Sequence, residues 1–143
     1  MNTKLFTGVI GAIFVSALTS CSAPENVKLE ELCDKKYQDK EVITEGTLYL
    51  PSTMYIRGNI MRLGIMNEET IQRVPGLTIP SFREKTNNTM QPLPENYTEN
   101  DVHIYDNDGN EVKLGSKVRI TGTLRGGSAA YCDLAVHKIE KIQ

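Results

Sequence analysis

The chain has 143 residues, with 16 basic and 18 acidic side chains and a formal net charge of −2. That length is enough for one domain with a core of its own. So even a charge balance gives no global pull toward polyanions, which disfavours nucleic acid as a partner.

Met1 to Lys4 forms a short positive start, and Leu5 to Leu18 follows as 14 uncharged residues, mostly apolar or small. Roughly 20 apolar residues are needed to cross a bilayer as a helix, so this pattern reads as a secretory signal rather than a span. Leu18-Thr19-Ser20-Cys21 resembles the lipobox of bacterial lipoproteins. The resemblance implies a signal peptide over 1–20, cleavage before Cys21, and acyl chains (palmitate among them) attached through the Cys21 sulfur. Each buried methylene contributes about 0.8 kcal/mol, so several chains hold a domain on a membrane where one does not. Residues 21–26 then read as a lipidated tether, and by the same resemblance Ser22 in place of Asp implies the outer membrane, facing periplasm or surface. The expected location is therefore the cell envelope, with the membrane as partner through Cys21. An ordinary signal that happens to contain a cysteine is the competing reading. Without residues 1–20 the chain keeps 123 residues, 15 basic and 18 acidic side chains, and a net charge of −3.

Two cysteines remain, Cys33 and Cys132. In an exported protein such an even pair is a disulfide candidate, with two separately buried thiols as the alternative. A zinc site from Cys33, Cys132, His103 and His137 lacks any close ligand pair of the C-x-x-C kind.

The domain proper spans 27–143. In "VKLEELCDKKY", 27–37, Leu29, Leu32, Cys33 and Tyr37 fall at i, i+3, i+4 and i+8, which predicts a short amphipathic helix. "EVITEGTLYLP", 41–51, alternates Val42, Thr44, Gly46, Leu48 and Leu50 on one face, a strand closed by Pro51. Residues 53–63 read as a turn and a second strand, broken near Gly58-Asn59. Residues 101–115 read as a strand, an Asp108-Gly109 turn and a short return. "KVRITGTLRGG", 117–127, and "AYCDLAVHKIEKI", 130–142, are the last two strands. The second shifts phase near His137-Lys138, which predicts a bulge.

"VITEGTL" at 42–48 and "VRITGTL" at 118–124 share the same spacing of Val, Gly and Leu. Each places a glycine at mid-strand on the inward face, the signature of a sharp bend or a close backbone approach. Small closed barrels need such bends. Residues 28–62 and 101–142 resemble an OB-fold, as found in small exported bacterial proteins, through "YQDKEVITEGTL" and "GSKVRITGTLRG…CDLAVHKIEKI". The fold class is therefore mainly β: a five-stranded OB-like Greek-key barrel, a short N-terminal helix and a long inserted loop. A generic β-sandwich or a lipocalin-like half-barrel is the alternative.

The insertion is placed at 64–100, between the second and third strands, and holds Pro75, Pro80, Pro92 and Pro94. Asn67 is expected to cap a brief helix through Arg73, stopped by Pro75-Gly76. Ile71, Val74, Leu77, Ile79 and Phe82 predict partial packing on the barrel, and the stretch from about Thr86 is expected to be polar and mobile.

No catalytic constellation stands out. "DNDGNE", 106–111, alternates carboxylates and amides, but its glycine comes fourth rather than sixth, so a hairpin turn is favoured over a calcium loop. Gly126-Gly127-Ser128 has neither the elbow context of a nucleophile nor a following helix for phosphate. No cofactor or metal is called for. OB-folds bind extended ligands across the second and third strands and adjoining loops, which the resemblance places at Tyr49, Tyr55, Arg57, Arg62, His103 and Tyr105. Rings interleaved with arginine suit stacking on a protein, peptide or glycan ligand. The function expected is a non-enzymatic binding module, with a structural or stress-tolerance lipoprotein lacking a discrete ligand as the alternative.

Overall fold

The computed structural model describes residues 23–52, 56–69, 73–128 and 131–142. Cys21 and the apolar segment 5–18 lie outside them. Among the described residues no helix is long and apolar enough to cross a membrane.

Five strands form the barrel: β1 (Glu41–Tyr49), β2 (Ile60–Met66), β3 (Arg73–Pro80), β4 (Lys117–Ser128) and β5 (Tyr131–Lys141). β1 pairs antiparallel with β4 from Glu41 to Thr47, then with β2 from Thr47 to Tyr49. β2 pairs antiparallel with β3, β3 runs parallel to β5, and β5 returns antiparallel to β4. The order β1-β2-β3-β5-β4 thus closes on β1. β-Branched residues dominate β1, and its inward positions Val42, Thr44, Gly46 and Leu48 are all buried. The two matched segments pair with each other, Val42 opposite Gly122 and Gly46 opposite Val118. A Cβ on Gly46 would lie 2.7 Å from Ile65 Cγ1 and 2.8 Å from the Met66 carbonyl oxygen. Glycine there lets β2 approach where β1 passes from one neighbour to the other. The bulge predicted in β5 falls between Val136 and Lys138.

The expected insertion is displaced. Residues 60–66 and 73–80 are barrel strands, so 64–100 is no excursion, and the long connection is 81–116, between β3 and β4. The β2–β3 register runs from Gly64 opposite Gly76 to Ile65 opposite Val74, which skips Pro75. A proline at a bulge leaves no ladder N–H unpaired, so it interrupts the strand without ending it. Asn67 Oδ1 accepts from the Glu69 N–H at 3.0 Å in a turn, and Arg73 already opens β3 where the brief helix was expected to end.

Residues 101–115 are likewise not a barrel strand. Ile104–Tyr105 pairs with Thr89–Met90 on one side and Glu111–Val112 on the other, making a separate three-stranded sheet. Its turn is the hairpin expected: Asp106 Oδ1 accepts from the N–H groups of Asp108 and Asn110, and Gly109 takes φ 77°. Met90, Ile104 and Val112 are fully buried and join the barrel core around Leu48, Leu63, Leu77, Ile120 and Leu134. This sheet caps the barrel. The stretch after Thr86 is part of it: Thr89 is buried, and Asn88 Oδ1 accepts the Ile139 N–H of β5 at 2.8 Å.

The N-terminal segment folds as two 3₁₀ turns, Leu29–Glu31 and Lys35–Tyr37, not as one helix. Asp34 between them is extended, with ψ 137°, which breaks the i→i+4 ladder. The apolar stripe still serves its purpose, because Leu29, Leu32 and Tyr37 are buried. Cys33 is bonded to Cys132, with a Cα–Cα distance of 5.5 Å across a sequence separation of 99. Glu25–Asn26 adds a short parallel strand to β1 at Val42–Ile43.

Candidate ligand-binding face

Strand alternation that sends Met61, Leu63, Leu77, Ile79 and Leu134 into the core sends the residues between them to the outer face of β2, β3 and β5. The register sets these in rows. Tyr49, Gly64, Gly76 and Asp133 form one, Arg62, Thr78 and Ala135 the next, and Ile60 with Pro80 a third. The glycine pair is a floor. A Cβ on Gly64 would fall inside the Tyr49 ring, and one on Gly76 would meet the methylenes of Arg62.

Arg62 crosses Gly76 to place Nε 3.3 Å from Asp133 Oδ1. Thr78 Oγ1 lies 2.7 Å from both Asp133 oxygens and donates to the carboxylate. The Asp133 side chain is 10% exposed, so its charge is held by these partners rather than by water. The polar groups of the face therefore satisfy one another and fix its shape. Beside them stand Ile60 and Phe82, 45% and 46% exposed, the large hydrophobic side chains left open among the described residues. Ile60 faces Pro80, and the Ser81 N–H donates to the Asn59 carbonyl at 2.7 Å, so both occupy one corner.

Among the described residues, the expected ligand residues fall on two sheets. Tyr49 and Arg62 share the face. Arg57 belongs to the two-residue strand Ile56–Arg57 paired with the start of β2, and Tyr55 lies outside the described residues. His103 and Tyr105 sit on the capping sheet, which meets the end of β3 through the Ser81–Met90 bridge. There His103 Nδ1 is 2.5 Å from Glu111 Oε1, and Tyr105 is buried with Lys85 Nζ 5.0 Å from its ring centroid. Thr78, Asp133 and Ile60 were not singled out from the sequence, and Phe82, expected to pack on the barrel, stands open. The opposed glycines Gly64 and Gly76 would have signalled this face, but only once the register was known.

A hydroxyl, an imidazole and a carboxylate converge elsewhere, on the outer side of β1, β4 and β5. Thr123 Oγ1 is 3.4 Å from His137 Nε2, and His137 Nδ1 is 3.0 Å from Glu41 Oε1. The order matches a nucleophile, base and orienting group. The imidazole and carboxylate are more than 40% exposed on a sheet face, not enclosed in a cleft, and the contacts brace three strands. Cys33 and Cys132 are joined to each other rather than to a metal. Among the described residues no three His, Cys, Asp or Glu side chains are grouped to hold a metal ion.

No protein-family model and no curated protein matches the chain. Among solved structures it is similar to a protein assigned as an aspartyl-tRNA synthetase from Leishmania major Friedlin, at 16% identity and a TM-score of 0.50. That match covers 92% of this chain but only 23% of the synthetase. It is also similar to the OBody AM3L09 bound to hen egg-white lysozyme, at 13% identity and a TM-score of 0.50, over 85% of this chain and 98% of that one. At these identities the likeness speaks for the fold alone. Together with the closed five-strand order, it shows an OB-fold barrel.

Proposed function

We propose that this protein is a lipid-anchored envelope lipoprotein whose barrel acts as a non-enzymatic binding module for a protein or peptide partner in that compartment. The lipobox-like run ending at Cys21 supports the anchor. The Cys33–Cys132 disulfide suits an oxidising compartment. The observation that carries the binding reading is the exposure of Ile60 and Phe82 at the end of the β2–β3 face where Ser81 bonds Asn59, on the strand that carries Arg62. Apolar side chains left open on a face that carries a pinned arginine have the composition of an interaction hot spot.

The test is crosslinking and capture from intact envelopes, comparing the native chain with an Ile60→Asp/Phe82→Asp variant of unchanged melting temperature. A partner recovered with the native chain and lost with the variant is the expected result. The same partners from both would reject this face as the site. The anchor is tested apart from this, by labelled palmitate incorporation that Cys21→Ser should abolish. A second reading, a structural lipoprotein without a discrete ligand, draws on the way Tyr49 and Arg62 already fill the floor over Gly64 and Gly76. Capture that recovers no partner with either chain would favour it.

A further inference from the structure

The segment 28–38 lies over one end of the barrel, beside the start of β5 and the later part of β4. Backbone hydrogen bonds tie it at both margins: the Val27 N–H donates to the Ile43 carbonyl at 2.8 Å, and the Asp39 N–H to the Leu124 carbonyl at 2.9 Å. Between these ties its backbone bonds to itself. The N–H of Glu31 donates to Lys28, Leu32 to Leu29, Asp34 to Glu31, Tyr37 to Asp34 and Gln38 to Lys35. Among the described residues, no backbone hydrogen bond joins 28–38 to a barrel strand.

Side chains hold the segment down instead. Leu29, Leu32 and Tyr37 are buried in the same cluster as Val42, Leu124 and Leu134, Asn67 Nδ2 donates to Glu30 Oε1, and Cys33 is bonded to Cys132. The two 3₁₀ turns have three residues each, too few to persist alone. Burial of Leu29, Leu32 and Tyr37 is set against the backbone freedom lost by every residue of the segment, and does not offset it. The covalent bond therefore decides whether the segment stays docked. Its release would break no strand pairing, since the closed order β1-β2-β3-β5-β4 uses none of these residues. Both cysteines are half-buried, which leaves the bond within reach of a thiolate from solvent.

We propose that 28–38 is a thiol-controlled flap over this end of the barrel, shut by the Cys33–Cys132 bond and released by a dithiol reductant. One thiolate of the reductant attacks a sulfur of the bond and forms a mixed disulfide, and its second thiol then displaces the cysteine. Two electrons and two protons pass to the protein, leaving two cysteine thiols, and the reductant departs as a disulfide. Freed, the segment swings on its margins and uncovers the apolar core that Leu29, Leu32 and Tyr37 had covered. The device rests neither on the binding role of the β2–β3 face nor on lipidation.

The test is residue-resolved hydrogen exchange of the full chain in native buffer, before and after reduction with dithiothreitol. After reduction the bonded amides of Leu32, Asp34, Tyr37 and Gln38 should exchange roughly tenfold faster or more, while those of β4 and β5 keep their protection. Reoxidation should restore the slow exchange. Cys33→Ser/Cys132→Ser should show the open pattern with no reductant present. Unchanged exchange in the segment, once alkylation shows both thiols free, would overturn the flap. So would equal acceleration in β4 and β5, which would make the bond a staple of the whole barrel, or a bond that dithiothreitol cuts only in denaturant.

Discussion

Gly122→Ala adds one methyl group where β4 runs against the backbone of β5. The new Cβ would stand 2.5 Å from the Ala135 carbonyl oxygen and 3.1 Å from its carbon, both backbone atoms of β5. Ordinary carbon contacts need about 3.5 Å, so β5 must retreat by roughly 1 Å just before its bulge. Overpacking of this kind costs about 1–3 kcal/mol, and the upper end applies because no side chain can rotate away. The lost freedom of the unfolded glycine returns about 0.5–1 kcal/mol, leaving a net loss of about 2 kcal/mol. Tryptophan is absent, so urea unfolding is best followed by circular dichroism. With a slope of about 1–3 kcal/mol per molar for a small domain, the midpoint should fall by roughly 0.7–2 M at unchanged slope. Gly115→Ala is the control: nothing lies within 4 Å of its Cβ, and only its φ of +81° opposes a side chain. That backbone cost is about 1 kcal/mol. A Gly122→Ala midpoint no lower than that of Gly115→Ala would refute the close approach of β4 and β5, and Gly122→Val should be worse still.

Other expectations concern the parts that fasten the barrel. Removing the Cys33–Cys132 bond in a Cys33→Ser/Cys132→Ser variant releases a loop with a sequence separation of 99, which chain entropy values at about 4–5 kcal/mol. Non-reduced native protein should weigh two hydrogens less than reduced protein, and two freely alkylated thiols would reject the bridge. Asn88→Ala should cost about 2–3 kcal/mol, since Asn88 holds φ 59° and accepts the Ile139 N–H. Asn88→Gly should recover the backbone part, and unchanged hydrogen exchange at Ile139 in either variant would contradict the role. Asp101 accepts from the Thr98 N–H at 2.7 Å and from its hydroxyl at 2.8 Å, and these bonds hold its carboxyl below the ordinary carboxylate range. A depressed folded value means that its contribution is present above the ordinary value and lost as pH falls through the depressed one. NMR titration should show Asp101 as a low titrating aspartate that rises part of the way in Thr98→Ala, where the backbone bond remains, and no rise would remove the Thr98 hydroxyl as a cause.

Strands with full periods were legible. Val42, Thr44, Gly46 and Leu48 announced β1, Val118 and Ile120 announced β4, and the shift after Val136 announced the bulge of β5. The disulfide followed from counting cysteines. Pro75-Gly76 concealed β3 because those residues stop most strands, and only pairing with β2 reveals that the ladder steps over the proline. The capping sheet was hidden for another reason. Its strands are two residues long, too short to show a period, and long-range contacts such as Asn88 to Ile139 hold them. The candidate face was half legible for the same cause: Tyr49 and Arg62 sit on strands read correctly, whereas Asp133 and Thr78 meet only through the parallel β3–β5 pairing.

The parallel strand at Glu25–Asn26 matters beyond its two residues. On the proposed lipidation, only the backbone from Cys21 to Glu25 separates the acyl chains from folded structure, at most roughly 14 Å of fully stretched peptide. Were Cys21 so anchored, that brief a leash would keep the barrel within reach of the headgroups, and whatever it met would have to come to the bilayer.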